Sequence, residues 1–132
     1  MKTLACTALL SLLALSGCKS AATSDSLLEY RFNPTASELT VLVKLPSGKH
    51  AYAPGEPVGR PVELQIDKTN NWELASPASI PQGDARHLIS DSFEVKAKLK
   101  NGHGPVHGIF KMQLCSDTSC ERPRDYAFKV AL

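Results

Sequence analysis

The stretch Phe93-Glu94-Val95-Lys96-Ala97-Lys98-Leu99 alternates apolar and charged side chains at every position. Successive side chains of a β-strand point to opposite faces of a sheet, so this period of two predicts a strand with one face in a core and the other in water. Residues 62–67 alternate in the same way, and residues 126–132 place an apolar side chain at every second position. The pattern is typical of half-buried strands rather than of amphipathic helices.

Two further apolar segments and the turns between them define the fold class. Residues 109–114 alternate, and residues 39–45 are apolar enough for a strand covered on both faces. Turn-forming residues separate the segments at Pro46-Ser47-Gly48, Pro54-Gly55, Pro81-Gln82-Gly83 and Asn101-Gly102. Six or seven short strands with this spacing predict one all-β domain over residues 27–132, an antiparallel β-sandwich of immunoglobulin type. Trp72, the only tryptophan, is predicted to pack in or beside its core.

The N-terminus has the pattern of a bacterial lipoprotein signal. Lys2 precedes an apolar stretch of about a dozen residues, shorter than the roughly 20 that cross a bilayer. Leu15-Ser16-Gly17-Cys18 resembles the lipobox of bacterial lipoproteins, whose cysteine becomes the first mature residue and carries a diacylglycerol. The resemblance implies a signal peptide over residues 1–17 and lipidation at Cys18. Residues 18–26 would then hold the lipidated cysteine and a short polar tether.

Charge and the lipid anchor predict where the protein acts. Fifteen Lys and Arg against 13 Asp and Glu leave a net charge of +2, too small for a nucleic-acid partner. A lipid on Cys18 would anchor the domain to the bacterial cell envelope, facing the periplasm, where cysteine pairs form disulfides. Lys19 in place of Asp favours the outer membrane under the sorting rule of enterobacterial lipoproteins. We further predict a monomer.

The four cysteines reduce to one pair. Cys6 leaves with the signal peptide and Cys18 is lipidated, so Cys115 and Cys120 remain. The four residues between them form turns readily, and residues flanking such a hairpin loop have Cα atoms about 4.5–5.5 Å apart, within range of a disulfide. The spacing permits a bridge without requiring one, and it places the pair at an exposed hairpin tip.

Three interpretations of this pair remain open from the residues alone. The first is a structural disulfide, although so small a ring stabilises a fold by only about 2 kcal/mol. The second is a metal site, because His103 and His107 precede Cys115 and Cys120 and can complete a four-ligand set for zinc or Cu(I). The third is thiol–disulfide exchange, which needs an accessible thiolate and a resolving thiol nearby.

Four segments resemble one family of redox proteins. Met112-Gln113-Leu114-Cys115-Ser116-Asp117 followed by Cys120-Glu121-Arg122-Pro123 is similar to the Y-Q-x-C-x-D…C-x-x-P pattern of the N-terminal periplasmic domain of the thiol:disulfide interchange protein DsbD. Residues 45–54 resemble the G-x-H-x-Y-x-P turn of that family, and residues 59–64 and 72–74 follow in the same order. The resemblance extends over roughly residues 28 to 132.

The resemblance implies an immunoglobulin-like domain that passes reducing equivalents between thioredoxin-like proteins, without metal or cofactor. By position, Cys120 would form the mixed disulfide and Cys115 would resolve it. In that family an aromatic loop covers the cysteines, whereas residues 82–92 here contain no aromatic side chain. The membrane-embedded and thioredoxin-like domains of the family have no counterpart, so we expect a separate protein to supply electrons. The alternative is a non-catalytic binding lipoprotein with a structural disulfide.

Overall fold

The computed structural model describes residues 27–132, which form nine β-strands and one 3-10 turn at Thr69–Asn71. The strands are β1 Leu28–Asn33, β2 Glu38–Val43, β3 Ala51–Tyr52, β4 Glu63–Ile66, β5 Glu73–Leu74, β6 Leu88–Ile89, β7 Phe93–Lys100, β8 Val106–Met112 and β9 Arg124–Val130. Every ladder between these strands is antiparallel, so the predicted all-β antiparallel class is confirmed. The predicted signal peptide, lipidated Cys18 and tether lie outside the described residues. Within residues 27–132, no helix has the length and apolar character needed to cross a membrane.

The strands form two larger sheets around one core. One sheet has the order β1-β2-β7-β5, the other has the order β4-β8-β9, and β3 pairs with β6 in a short ladder. The edges of the two larger sheets meet where Tyr30 of β1 stacks on Phe128 of β9, with ring centroids 4.5 Å apart. Side chains from both sheets bury together, among them Leu39, Val41, Val95, Val106, Phe110 and Met112. This arrangement is a β-sandwich, and its immunoglobulin-like character stays a prediction.

The alternating stretch that predicted the fold is strand β7. Its four apolar side chains are buried and its four charged ones are exposed, in strict alternation from Phe93 to Lys100. β7 pairs with β2, where Val95 lies opposite Val41 at the centre of the sheet. One face of β2 is fully buried and the other is half-buried. The prediction that this strand is covered on both faces is therefore only partly correct. The reason is that the outer face of this sheet is open to water.

Four strands were not predicted. β1 alternates clearly, but β3, β5 and β6 have two residues each and carry no period of their own. Each of these short strands exists because a segment far away in the chain pairs with it, as Ala51 does with Ile89. Such pairs are decided by tertiary packing and leave little trace in a local pattern.

Trp72 is a core residue, as predicted. Its side chain is buried, and its indole N–H donates to the carbonyl oxygen of Gly104 at 3.0 Å. The indole meets the Phe32 ring edge to face at 5.3 Å. Gly102 lies against the other part of the indole, where a Cβ atom would overlap the ring. Trp72 therefore joins the β7–β8 loop to the sheet that contains β1.

Ionised aspartates organise two turns. The carboxylate of Asp67 accepts from the hydroxyl and the backbone N–H of Thr69 at 2.6 and 2.7 Å, and these bonds lower the pKa of Asp67 from 3.8. The carboxylate of Asp84 accepts from the backbone N–H groups of Leu88 and Arg86 at 3.0 and 2.8 Å, which lowers its pKa from 3.8. A pKa lowered by folding means that the ionised form stabilises the fold.

We expect the free energy of unfolding to fall in acid because of these two carboxylates. Their contribution is complete above the ordinary value of 3.8 and is lost as the pH falls through their lower folded-state values. The double variant Asp67→Asn, Asp84→Asn should be less stable at neutral pH and should lose less stability between about pH 5 and pH 2. Urea unfolding at several pH values measures both. An unchanged acid slope in the double variant would contradict this explanation.

Candidate redox site

Cys115 and Cys120 lie on the connection between β8 and β9. The β8–β9 ladder pairs Val106 through Met112 with Arg124 through Val130, and the chain continues beyond Met112 into a shorter antiparallel bridge between the two cysteines. Their sulfur atoms form a disulfide, and their Cα atoms are 4.0 Å apart. The hairpin spacing that permits a bridge is therefore used for one.

The two cysteines differ in exposure. Cys115 is 0% exposed, whereas Cys120 belongs to the exposed residues of the loop. The expectation of a pair at an exposed tip is correct for Cys120 and wrong for Cys115. The physical reason is His50, whose N–H donates to the Cys115 carbonyl at 2.8 Å and whose carbonyl accepts from the Cys115 N–H at 3.0 Å. This segment lies beside Cys115, so a reagent in solution meets the disulfide at Cys120.

The loop between the cysteines is also held by hydrogen bonds. The N–H of Ser116 donates to the carbonyl of Ser119 at 2.7 Å, and the hydroxyl of Ser116 accepts from the N–H of Ser119 at 3.2 Å. The N–H of Glu121 donates to the carbonyl of Leu114 at 2.8 Å, directly outside the disulfide. None of these bonds involves a sulfur atom, so hydrogen bonds hold the loop in addition to the disulfide.

Tyr52 places a polar group beside the exposed sulfur. Its hydroxyl oxygen lies 3.8 Å from Sγ of Cys120 and can donate to that sulfur. The ring meets the His50 imidazole edge to face at 5.5 Å and lies against Gly59, where a Cβ atom would overlap it. In the oxidised protein Cys120 has no proton to donate, so the hydroxyl is the donor. After reduction the same hydroxyl faces a thiol or thiolate.

Residues 82–92 are connected to the site because their strand β6 pairs with β3, which contains Tyr52. Leu88 of β6 lies opposite Tyr52 of β3, and the N–H of Ala53 donates to the carbonyl of His87 at 2.7 Å. The aromatic side chain near the pair therefore comes from β3, not from the loop that the resemblance pointed to. Sequence reasoning did not assign Tyr52 to the site, although the motif at residues 45–54 contains it.

The histidines of the metal interpretation do not join the cysteines. His103 lies in the β7–β8 loop, where its N–H donates to the carbonyl of Asn70, and His107 lies on β8 opposite Lys129. The sulfurs of Cys115 and Cys120 are bonded to each other. Within the described part of the chain, no three His, Cys, Asp or Glu residues group together as metal ligands would. The four-ligand set that the spacing permitted is therefore not assembled.

Comparison with protein-family models gave no match, and a search of curated proteins found no similar sequence. A functional conclusion must therefore stand on the chemistry of this site. The relevant observations are a disulfide on a hairpin, the unequal exposure of its two residues and a hydroxyl beside the exposed sulfur.

Proposed function

We propose that this protein is a thiol–disulfide exchange relay of the bacterial envelope, which passes reducing equivalents between thioredoxin-like proteins through Cys115 and Cys120. The observation that carries the proposal is the unequal exposure of the pair, with Cys115 fully buried and Cys120 exposed. Exchange requires one sulfur that partners reach and a second thiol nearby that resolves the mixed disulfide, and burial of the second sulfur directs partners to the first. A disulfide that served stability alone would need no such difference.

The relay accepts electrons at Cys120. A thiolate of a reduced thioredoxin-like protein attacks Sγ of Cys120, the sulfur–sulfur bond breaks, and Sγ of Cys115 leaves with the electron pair and takes up a proton. The donor's second thiol loses its proton and attacks the donor sulfur of the mixed disulfide. Cys120 leaves as a thiolate and is protonated, so two electrons and two protons have entered the domain.

Electrons leave by the reverse sequence. The Cys120 thiolate attacks the disulfide of an oxidised acceptor and forms a mixed disulfide, while the acceptor's other sulfur leaves as a thiol. Cys115 then gives up its proton and attacks Sγ of Cys120, which restores the disulfide and releases the reduced acceptor. The Tyr52 hydroxyl is placed to donate to Cys120 whenever that sulfur carries negative charge.

The anchor is part of the proposal. A lipidated Cys18 would hold the domain on the membrane, with the polar residues that follow it as a tether. Anchoring raises the local concentration of a membrane-bound redox partner without any new contact. Lys19 favours the outer membrane as the site of attachment.

The equilibrium potential of the Cys115–Cys120 pair tests the relay against a structural disulfide. We expect a value between about −180 and −270 mV, the potentials of protein disulfide isomerase and thioredoxin. The purified protein is equilibrated with mixtures of reduced and oxidised glutathione, and its free thiols are counted by alkylation and mass spectrometry. A potential below about −300 mV would instead support a binding lipoprotein whose bridge resists reduction.

A further inference from the structure

The oxygen and the nitrogen of the Gln113 side-chain amide both form hydrogen bonds close to the Cys115–Cys120 disulfide. Its Oε1 atom accepts from the backbone N–H of Arg60 at 2.9 Å, and its Nε2 group donates to the carbonyl of Glu121 at 3.1 Å. The first contact is part-buried and reaches across 53 positions of the chain. The side chain therefore ties the residue after Cys120 to the segment that follows Gly59.

Glu121 is held at both of its backbone groups. Its N–H donates to the carbonyl of Leu114 at 2.8 Å, and its carbonyl accepts from Gln113. Leu114 and Glu121 are the immediate neighbours of Cys115 and Cys120 on the two sides of the hairpin. None of these hydrogen bonds involves a sulfur atom, so with the Ser116–Ser119 bonds and the β8–β9 ladder they are available to hold the two thiols close when the disulfide is reduced. We propose that Gln113 is a positioning residue that keeps Cys120 beside Cys115 in the reduced protein.

This inference rests on the proposed relay and concerns its second step. In the mixed disulfide, Cys115 must attack Sγ of Cys120 to break the bond to the partner, whose sulfur leaves with the electron pair. A held segment raises the effective concentration of one sulfur at the other. Without Gln113 the reduced segment gains freedom, and closing the disulfide must order it again. Closure becomes less favourable, so the potential of the pair becomes less negative.

Gln113 also holds Arg60, which follows the glycine that packs against the Tyr52 ring. The backbone N–H of Arg60 donates to the amide oxygen of Gln113, and the Arg60 guanidinium lies 3.7 Å from the carboxylate of Asp125 on β9. Gly59 precedes it and lies directly against the Tyr52 ring. One side chain thus sets the position of the segment bearing Cys120 and of the segment supporting the hydroxyl that faces it.

The test compares the glutathione equilibrium of Gln113→Ala with that of the wild-type protein. We expect the equilibrium constant for closing the disulfide to fall about tenfold, because closure must then order about one more residue of backbone that Gln113 otherwise holds in the reduced protein. For a two-electron couple this is a shift of about 30 mV toward a less negative potential. A potential equal to that of the wild type would overturn the positioning role.

Three further variants separate this role from a general loss of stability. Gln113→Glu keeps an oxygen that accepts from Arg60 but removes the donor to Glu121, so it should shift the potential in the same direction as Gln113→Ala and by less. It also decides the question if the alanine variant does not fold. Gln65→Ala removes an exposed glutamine side chain of β4 that donates to Glu63, and it should have the wild-type potential. Trp72→Phe weakens the core away from the pair and should lower stability without moving the potential.

The outcomes distinguish this inference from the relay itself. The glutathione equilibrium involves no protein partner, so it reports on Gln113 even if no thioredoxin-like protein reacts with Cys120. If Trp72→Phe shifts the potential as much as Gln113→Ala does, the effect comes from global stability and the inference is wrong. If thioredoxin-like partners are trapped but the Gln113 variants keep the wild-type potential, the relay stands and the inference fails.

Discussion

Cys115→Ala is expected to convert the protein from a catalyst of exchange into a trap for its partner. In the reduced variant, Cys120 still attacks a partner disulfide, but no buried thiol follows to release the product. A mixed disulfide should therefore accumulate, whereas the wild-type protein resolves it. The proposed roles follow from the exposed position of Cys120 and the full burial of Cys115.

A chemically defined partner protein allows formation of the mixed disulfide to be measured directly. We would use a thioredoxin whose second active-site cysteine is serine and whose remaining cysteine carries a thionitrobenzoate group. Attack by Cys120 releases coloured thionitrobenzoate and joins the two proteins, which non-reducing electrophoresis detects. Cys115→Ala should accumulate the joined species, and the wild-type protein should release thioredoxin as Cys115 closes the disulfide.

The reciprocal variant Cys120→Ala is the matched control. Its only thiol outside residues 1–26 is the buried Cys115, so we expect it to release thionitrobenzoate at least about tenfold more slowly than Cys115→Ala. Equal rates for the two variants would mean that exposure does not decide which sulfur reacts. Rapid release by Cys120→Ala alone would reverse the assigned roles.

Trp72→Ala is expected to have the largest effect on stability. The substitution removes a buried indole, its edge-to-face contact with Phe32 and its hydrogen bond to Gly104. Removing a buried tryptophan side chain costs about 3–5 kcal/mol, because lost burial and an unfilled cavity add together. Since domains of this size have a free energy of unfolding of about 5–15 kcal/mol, the variant should be only marginally folded.

Urea unfolding followed by far-ultraviolet circular dichroism measures this loss. Trp72→Phe is the control, because it keeps an aromatic ring in the core while losing the donor to Gly104, and it should cost about 1–2 kcal/mol. A loss below about 1 kcal/mol for Trp72→Ala would show that the indole is not a principal core residue.

The β8–β9 hairpin positions the Cys115–Cys120 disulfide. β8 and β9 pair along seven residues and form a rigid base for the loop beyond Met112. Phe110 and Phe128 bury the inner side of this hairpin, which fixes its position in the sandwich. The β3–β6 ladder supplies Tyr52, and His50, which directly precedes β3, bridges to Cys115. A stable hairpin thus carries a disulfide whose exposed sulfur faces a neighbouring segment.

Local patterns predicted the long strands well and the short ones poorly. The alternation in β7 and β9 identifies the buried face, because successive side chains of a strand point to opposite faces of the sheet. β3 and β6 have two residues each, and their pairing through Ala51 and Ile89 depends on how distant loops pack. β1 also alternates, so its local pattern is sufficient to predict a strand there.

The sequence by itself determined the all-β class and the proximity of Cys115 to Cys120, because a period of two and a five-residue separation are local properties of the chain. Only the tertiary structure decided which cysteine is buried and which polar groups lie beside the other. His50 bridges Cys115, Tyr52 approaches Cys120 across 68 positions, and Gln113 reaches across 53. Contacts at such separations arise from the packing of distant segments, and no local pattern specifies them.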